Sequence, residues 1–299
     1  MEDRHHSSTR RTPTRAHTRR RTVLARTGHG DRLASAAEKA ADSKGFERAA
    51  RVGYVASGLL HLLIGIIALQ IAFGGGSGSA DSSGAVSALA AQPGGLVLLW
   101  ICFLGCLALA LFQASRVWLD GRGLQGKDAW KVRGSAAGQA VTYGAIGVSF
   151  GTFALGGGKD SGESSAGWSA TLMAQPAGAV LLGLVGLGIV IVGGYFVFKG
   201  ATGRFRKQLK AVPPGTWDRA VTITGTLGFV AKGVSLVILG ILVMVAAFTA
   251  DPEKSTGLDG ALHALREQPF GWLALGAVGV GLACYGLYTG ILRARFAKL

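Results

Sequence analysis

Six apolar runs, each long enough to cross a bilayer, set the terms on which this chain folds: Val52 to Phe73, Leu96 to Ser115, Ala136 to Leu155, Ala177 to Phe198, Gly228 to Phe248 and Phe270 to Leu292. A helix of about 20 residues spans a hydrocarbon core about 30 Å thick. Inside lipid the backbone has to satisfy its own hydrogen bonds, so abundant glycine does not overturn the helical reading; an open chain has no other spanning structure. Hydrophobic residues make up 49% of the 299, yet the formal net charge is +15, so the charge has to be segregated from the apolar mass.

It collects first in an N-terminal arm, residues 1–45. Arg10, Arg11, Arg15, Arg19, Arg20, Arg21, Arg26 and Arg32 stand there among Ser, Thr, His and Gly, with no apolar periodicity before Leu33. That is the composition of a disordered basic segment. Arg20-Arg21 does not make a twin-arginine signal, because Arg26, His29, Asp31 and Arg32 occupy the place of the apolar run such a signal needs. An organellar transit peptide is the lesser alternative. The arm is expected to be a solvated tail that meets anionic lipid headgroups and sets orientation, and no nucleic-acid partner is expected.

The connections alternate in charge. Arg122, Lys127, Lys131 and Arg133 follow the second run; Lys199, Arg204, Arg206, Lys207, Lys210 and Arg219 follow the fourth; Arg293, Arg295 and Lys298 close the chain. The other connections hold only Lys159, Lys254 and Arg266 as cations, against Asp81, Asp160, Glu163, Asp251, Glu253, Asp259 and Glu267. The positive-inside rule places both termini and the two basic connections in the cytoplasm and the acidic connections outside.

Each acidic connection ends in the same pattern, G-x4-L-x2-Q-P-x-G. It reads Gly84, Leu89, Gln92-Pro93, Gly95; then Gly167, Leu172, Gln175-Pro176, Gly178; then Gly260, Leu265, Gln268-Pro269, Gly271. The chain is therefore three tandem copies of a two-helix unit. Upstream, Gly53, Gly58 and Gly65 of the first copy match Gly228, Gly233 and Gly240 of the third, while the second keeps only Gly147 and has diverged most.

At Arg51-Val52-Gly53-Tyr54, Gly58, Gly65, the three Gln-Pro-x-Gly elements and the glycine eight residues before each glutamine, the chain resembles the bacterial membrane-protein family called domain of unknown function 1206. The resemblance covers nearly everything after the arm. It implies a plasma-membrane protein of six helices in three pairs, and no particular chemistry. Because each unit has an even number of spans, the copies enter the membrane in one direction, unlike inverted transporter repeats, and a pseudo-threefold axis along the membrane normal is expected.

Proline at a first helical turn loses no needed hydrogen bond, and the glutamine before it is pushed towards an extended backbone, from which its side chain is expected to turn onto the free groups at the helix start. The repeated element is thus expected to be a helix-start device, with a ring of Gln92, Gln175 and Gln268 around an external vestibule as the functional alternative. In register, Ser57, Gln139 and Lys232 share one position near the cytoplasmic end of the first helix of each copy. They are possible lining residues of an inner mouth; otherwise Lys232 snorkels to headgroups and the other two sit at the interface. His61 is the one membrane-depth imidazole and aligns with Tyr143 and Leu236, so no ligand cluster and no bis-histidine haem is implied. A bond to a neighbouring carbonyl is its expected lot, and lining the axis together with Ser57, Gln139 and Lys232 is the alternative. Cys102, Cys106 and Cys284 lie in apolar runs without metal-binding spacing and read as packing residues. Gly147-x-x-x-Gly151, Gly286-x-x-x-Gly290 and the set from Gly183 to Gly194 make flat faces for close helix packing.

The expected fold is all-α and polytopic: an arm (1–45), repeat one (46–119), a loop (120–135), repeat two (136–199), a basic loop (200–219) and repeat three (220–299). With no membrane-depth carboxylate and no nucleophile with a base, an enzyme is not expected, and neither metal nor cofactor is implied. Two functions compete: a non-catalytic scaffold or accessory subunit with an unidentified membrane-protein partner, and a small-molecule or ion path along the pseudo-threefold axis.

Overall fold

A computed structural model of the protein describes residues 44–75, 78–119, 127–158, 160–255 and 257–297. The basic arm up to residue 43, Arg122, Lys159 and Lys298 lie outside the described residues. The helices are α1 (Lys44–Ala72), α2 (Ser82–Ala90), α3 (Gly95–Leu119), α4 (Lys127–Ala154), α5 (Ser161–Met173), α6 (Gly178–Ala201), α7 (Thr216–Thr249), α8 (Gly257–Arg266) and α9 (Gly271–Leu287). A π-helical turn, Tyr288–Arg293, carries α9 into a last short turn, α10 (Ala294–Phe296). Long, short and long helices thus follow one another three times, and the described residues contain no β-strand.

Five long helices, namely α1, α3, α6, α7 and α9 with its continuation, are long and apolar enough to cross a membrane. Leu104, Leu111, Val180, Leu184 and Ile191 are among many large apolar side chains exposed along them. Apolar exposure on that scale suits lipid and not water, and the chain reads as a multi-pass membrane protein. The sixth long helix, α4, has 28 residues, about 42 Å at the helical rise, but is more polar than the other five. The loop expected at 120–135 is helical from Lys127 onward, because the lone Gly134 is too weak a breaker to stop it. The run that begins at Ala136 itself carries Gln139, Thr142, Ser149 and Thr152.

The first long helix of each copy packs along the last long helix of the copy before it: α4 on α3, α7 on α6, and α1 on α9. Glycine sets the distance. A Cβ on Gly58 would lie 2.3 Å from the Gly290 Cα and 2.7 Å from the Gly286 carbonyl oxygen; on Gly233 it would meet the Gly193 oxygen at 2.6 Å, and on Gly240 the Gly186 oxygen at 2.7 Å. The matched glycines of copies one and three therefore do matched work. Within a copy, α1 packs on α3 through Gly53, whose Cβ would be 2.3 Å from the Gly105 oxygen, and α7 packs on α9 through Gly228, 2.5 Å from the Tyr285 Cα. Copy two has Ser135 at that position, and among the described residues α4 and α6 do not pack along each other.

The three short helices meet at the end of the bundle that bears the acidic connections. Asp81 and Asp160 cap α2 and α5 by accepting from the first-turn amides of Gly84 and of Gly162 and Glu163. The Ser79 hydroxyl donates to Asp160 (3.2 Å), the Ala80 amide to Asp259 (2.6 Å) and the Ser169 hydroxyl to that of Ser255 (2.8 Å). Burial raises the Asp259 carboxyl above its ordinary range, the Ala80 amide opposing it.

Each Gln-Pro-x-Gly element joins a short helix to the long helix after it by a tight turn. The carbonyls of Gln92, Gln175 and Gln268 accept from the amides of Gly95, Gly178 and Gly271 at 2.8, 2.9 and 2.7 Å. The residue after proline is left-handed in all three copies: Gly94 (φ 76°), Ala177 (φ 61°) and Phe270 (φ 59°). Proline second and a left-handed residue third is the pattern of a type II turn. Pro93, Pro176 and Pro269 accordingly stand two residues before the helix and not in its first turn. The glutamine side chains also differ from expectation. Those of Gln92 and Gln268 reach back to the carbonyls of Ala88 and Ala264 on the short helix, since their own backbone carbonyls close the turn. The final glycine is required sterically: a Cβ on Gly95, Gly178 or Gly271 would lie 2.4, 1.8 or 2.3 Å from the carbonyl oxygen of Leu89, Leu172 or Leu265.

Candidate functional site

At the opposite, basic end, α4 and α6 stand apart, and a cavity of about 400 Å³ lies between them. Gly138, Gln139, Thr142 and Tyr143 of α4 form one wall and Val192, Tyr195, Phe196 and Lys199 of α6 the other, with Lys232, Tyr285 and Arg293 behind. A second cavity of about 410 Å³ adjoins it, sharing Ser135, Gln139, Gln208 and Arg293 and continuing past Tyr54 and Arg116.

Three cations converge on this cavity. Lys199 and Arg293 are buried and Lys232 is half-buried, and no carboxylate is among the described residues that line either cavity. Aromatic faces hold each cation. Lys199 Nζ lies 4.6 Å from the Phe229 ring centre, Lys232 Nζ 4.3 Å from that of Tyr285, and the Arg293 guanidinium carbon 4.6 Å from that of Tyr54. Such contacts contribute about 0.5–2 kcal/mol each, less than the several kcal/mol that taking an ion out of water costs.

Polar neighbours fix the geometry. Arg293 Nη2 donates to Gln139 Oε1 (2.6 Å) and Nη1 to the Tyr143 hydroxyl (3.1 Å), while Gln113 Nε2 donates to the same Gln139 oxygen (2.6 Å). The Arg293 Nε is buried and has no hydrogen-bond partner. His61 Nδ1 lies 2.8 Å from the Ser57 carbonyl oxygen, which can only accept, so Nδ1 carries the proton. His61 Nε2 is then the acceptor for Lys232 Nζ at 2.9 Å. A neutral imidazole thereby turns the lysine inward.

Of the four residues placed near the axis by register, Gln139 and Lys232 line the cavity, His61 stands behind Lys232, and Ser57 is buried with only its carbonyl in the network. Gln92, Gln175 and Gln268 are exposed at the acidic end, outside this site. Arg293, Lys199, Tyr143 and Tyr285 also belong to the site, and nothing in the sequence marks them as site residues. Arg293 and Lys199 each follow an apolar run, where a cation reads as an orientation marker; the π-helical turn, which adds a residue to the helical repeat and ends at Arg293, has no signature in the sequence.

The second copy also explains the opening. Gly105, Gly188 and Gly281 lie thirteen residues after the glutamine in each copy. A Cβ on Gly105 would meet Val52 and Gly53 of α1, and one on Gly281 would meet Ala231 of α7 at 2.2 Å, but one on Gly188 meets nothing within 4 Å. Gly134 and Gly138 of α4 likewise face open space.

No solved structure matches this chain. It is 33% identical over 246 residues to the uncharacterized protein YxxB of Bacillus subtilis (strain 168), an alignment covering 81% of this chain and 88% of that protein. The model of the family Domain of Unknown Function (DUF1206) matches three times, over residues 52–120, 134–203 and 227–297. These three matches fall on three successive long, short and long sets of helices, and the chain belongs to the DUF1206 family.

Proposed function

We propose that this is a non-enzymatic plasma-membrane protein of six spans that binds an anionic small molecule in the basic cavity, the binding step of a transport path. Three parallel two-helix units surround a pseudo-threefold axis, both termini face the cytoplasm, and the cavity opens on the cytoplasmic side. Support for the arrangement comes from the three equivalent packings of α4 on α3, α7 on α6 and α1 on α9, and for the orientation from cations at one end and carboxylates at the other. Arg204, Arg206 and Lys207 then face anionic headgroups of the inner leaflet.

One observation carries the binding reading: Lys199, Lys232 and Arg293 share a cavity with no carboxylate among its described lining residues. An anion among them relieves mutual repulsion and satisfies donors that the protein leaves partly used. The test is thermal unfolding of the purified full chain in detergent at constant ionic strength, with pyrophosphate or citrate as probe against chloride. The anion is expected to raise Tm. Lys232→Met is expected to raise the anion-free Tm, by removing repulsion, and to abolish the increment. An unchanged increment in Lys232→Met, or none in the parent, overturns the reading.

A scaffold is the second reading. Gly58, Gly65, Gly186, Gly193, Gly233 and Gly240 are all consumed by contacts within the chain, so glycine faces offer a partner little. The opening between α4 and α6 is the exception, and a partner helix seated there would copurify with the protein in mild detergent.

A further inference from the structure

We infer that the anion is the head of a lipid: an amphiphile with a phosphate head held by Lys199, Lys232 and Arg293, whose apolar chain leaves between α4 and α6 into the bilayer. The inference rests on the anion-binding reading and adds the class of ligand and its route.

The cavity has two chemistries in sequence. Its cations stand at the basic end, where α6 closes with Lys199. One and two turns deeper, the α6 wall is Tyr195 and Val192, both about half exposed (54% and 48%), and the facing α4 wall is Gly138 and the exposed Thr142. At a rise of 1.5 Å per residue, Val192 lies about 10 Å further into the membrane than Lys199. These side chains line the cavity and at the same time face outward from the bundle. A water-soluble anion has no use for such a wall. A lipid head placed among the cations has its chain already directed along it.

The opening is a property of the second copy alone. In copies one and three the first and last helices close on each other through Gly53 against Gly105 and through Gly228 against Tyr285. In copy two Ser135 replaces the first of these glycines, Gly188 on α6 faces open space, and the cavity sits in that seam. Charge selects between occupants of the seam. An apolar partner helix would leave the charges of Lys199, Lys232 and Arg293 without a counter-charge, whereas a phosphate brings both negative charge and acceptor oxygens into the cavity they line. Attraction of anionic lipid to a basic inner surface brings this ligand to the seam from the adjoining leaflet.

Native mass spectrometry of the full chain in detergent, titrated with phosphatidylglycerol or phosphatidylcholine, tests the inference, with pyrophosphate-induced Tm shifts measured in parallel. The phosphatidylglycerol adduct is expected to exceed the phosphatidylcholine adduct by about tenfold in affinity, one well-made ionic contact on the usual scale. Gly188→Leu fills the seam one turn deeper than Val192, from a position with open space around it and outside the lining of the cavity. It is expected to lower phosphatidylglycerol affinity about tenfold while leaving the pyrophosphate shift in place, which also shows that the variant is folded; Val192→Trp, on the cavity wall itself, is the second variant and is expected to lower phosphatidylglycerol affinity likewise. Lys232→Met removes both responses. Pyrophosphate binding without preferential phosphatidylglycerol binding overturns the lipid assignment and leaves the anion reading standing. Loss of neither response in both seam variants overturns the route, and a copurifying polypeptide displaced by them overturns the lipid in favour of a partner helix. Absence of any anion response overturns both.

Discussion

A lysine near the end of a membrane helix ordinarily extends to the headgroups, yet Lys232 turns inward to His61 Nε2 and the Tyr285 face. The imidazole can accept only because its other nitrogen is committed to the Ser57 carbonyl, so one backbone acceptor on α1 sets the direction of a charge on α7. Arg293 is held by shape as well as charge, its two Nη groups reaching Gln139 and Tyr143 on the same helix face. Arg293→Lys keeps the charge and loses the fork. It is expected to lower stability by about 2 kcal/mol, as for loss of a hydrogen bond to a charged group, and to weaken anion binding; thermal unfolding with and without pyrophosphate measures both. Register made part of this cluster legible. Aligning copies put Gln139 and Lys232 at one position, and His61 one turn further on. Arg293 was not legible because its place depends on the π-helical turn and on a contact across 154 residues of chain.

Among elements, the turn before each last helix shows what repetition in sequence can and cannot convey. The recurrence of Gln-Pro-x-Gly announced a device for starting helices, and the steric need for its glycine follows from the carbonyl oxygen of the equally recurrent leucine. The variable residue carried no such signal, yet it bears the left-handed backbone. Ala177→Gly is therefore expected to stabilise by about 0.5–1 kcal/mol, the left-handed penalty of alanine less the added chain entropy of glycine. Gly178→Ala, with its Cβ 1.8 Å from the Leu172 oxygen, is expected to cost about 3 kcal/mol, the upper range for overpacking. Chemical denaturation in detergent separates the two. The short helices add a pH dependence through Asp259, whose carboxyl burial raises. A raised folded-state value means the native state binds the proton more tightly than the unfolded chain, so this group's contribution is full at low pH and is lost as pH rises through the folded value. Asp259→Asn retains an oxygen for the Ala80 amide and is expected to flatten that decline in Tm as pH rises above the ordinary carboxylate range; an unaltered slope refutes the assignment to Asp259.

Across the whole molecule, the three copies are alike in how they join their neighbours and unlike in how they close on themselves. Between copies, glycine meets backbone at α1 and α9 and at α6 and α7, while α4 rests on Cys106 of α3 with a Gly147 Cβ separation of 3.3 Å. Six apolar runs and a threefold motif were enough to foresee three pairs of long helices, but neither the short helix inside each connection nor the open seam, since a serine in place of one glycine looks like ordinary divergence until both helices are seen. Gly105, Gly188 and Gly281 turn that seam into a measurement. Alanine at Gly105 would press on Val52 and Gly53, and at Gly281 on Ala231, whereas at Gly188 it enters open space. Gly105→Ala and Gly281→Ala are expected to cost about 1–3 kcal/mol each, and Gly188→Ala to be neutral or slightly stabilising, since alanine is the better helix former. If Gly188→Ala instead costs as much as its two counterparts in lipid nanodiscs, α4 and α6 are closed on each other in the membrane, and the cavity exists only when they part.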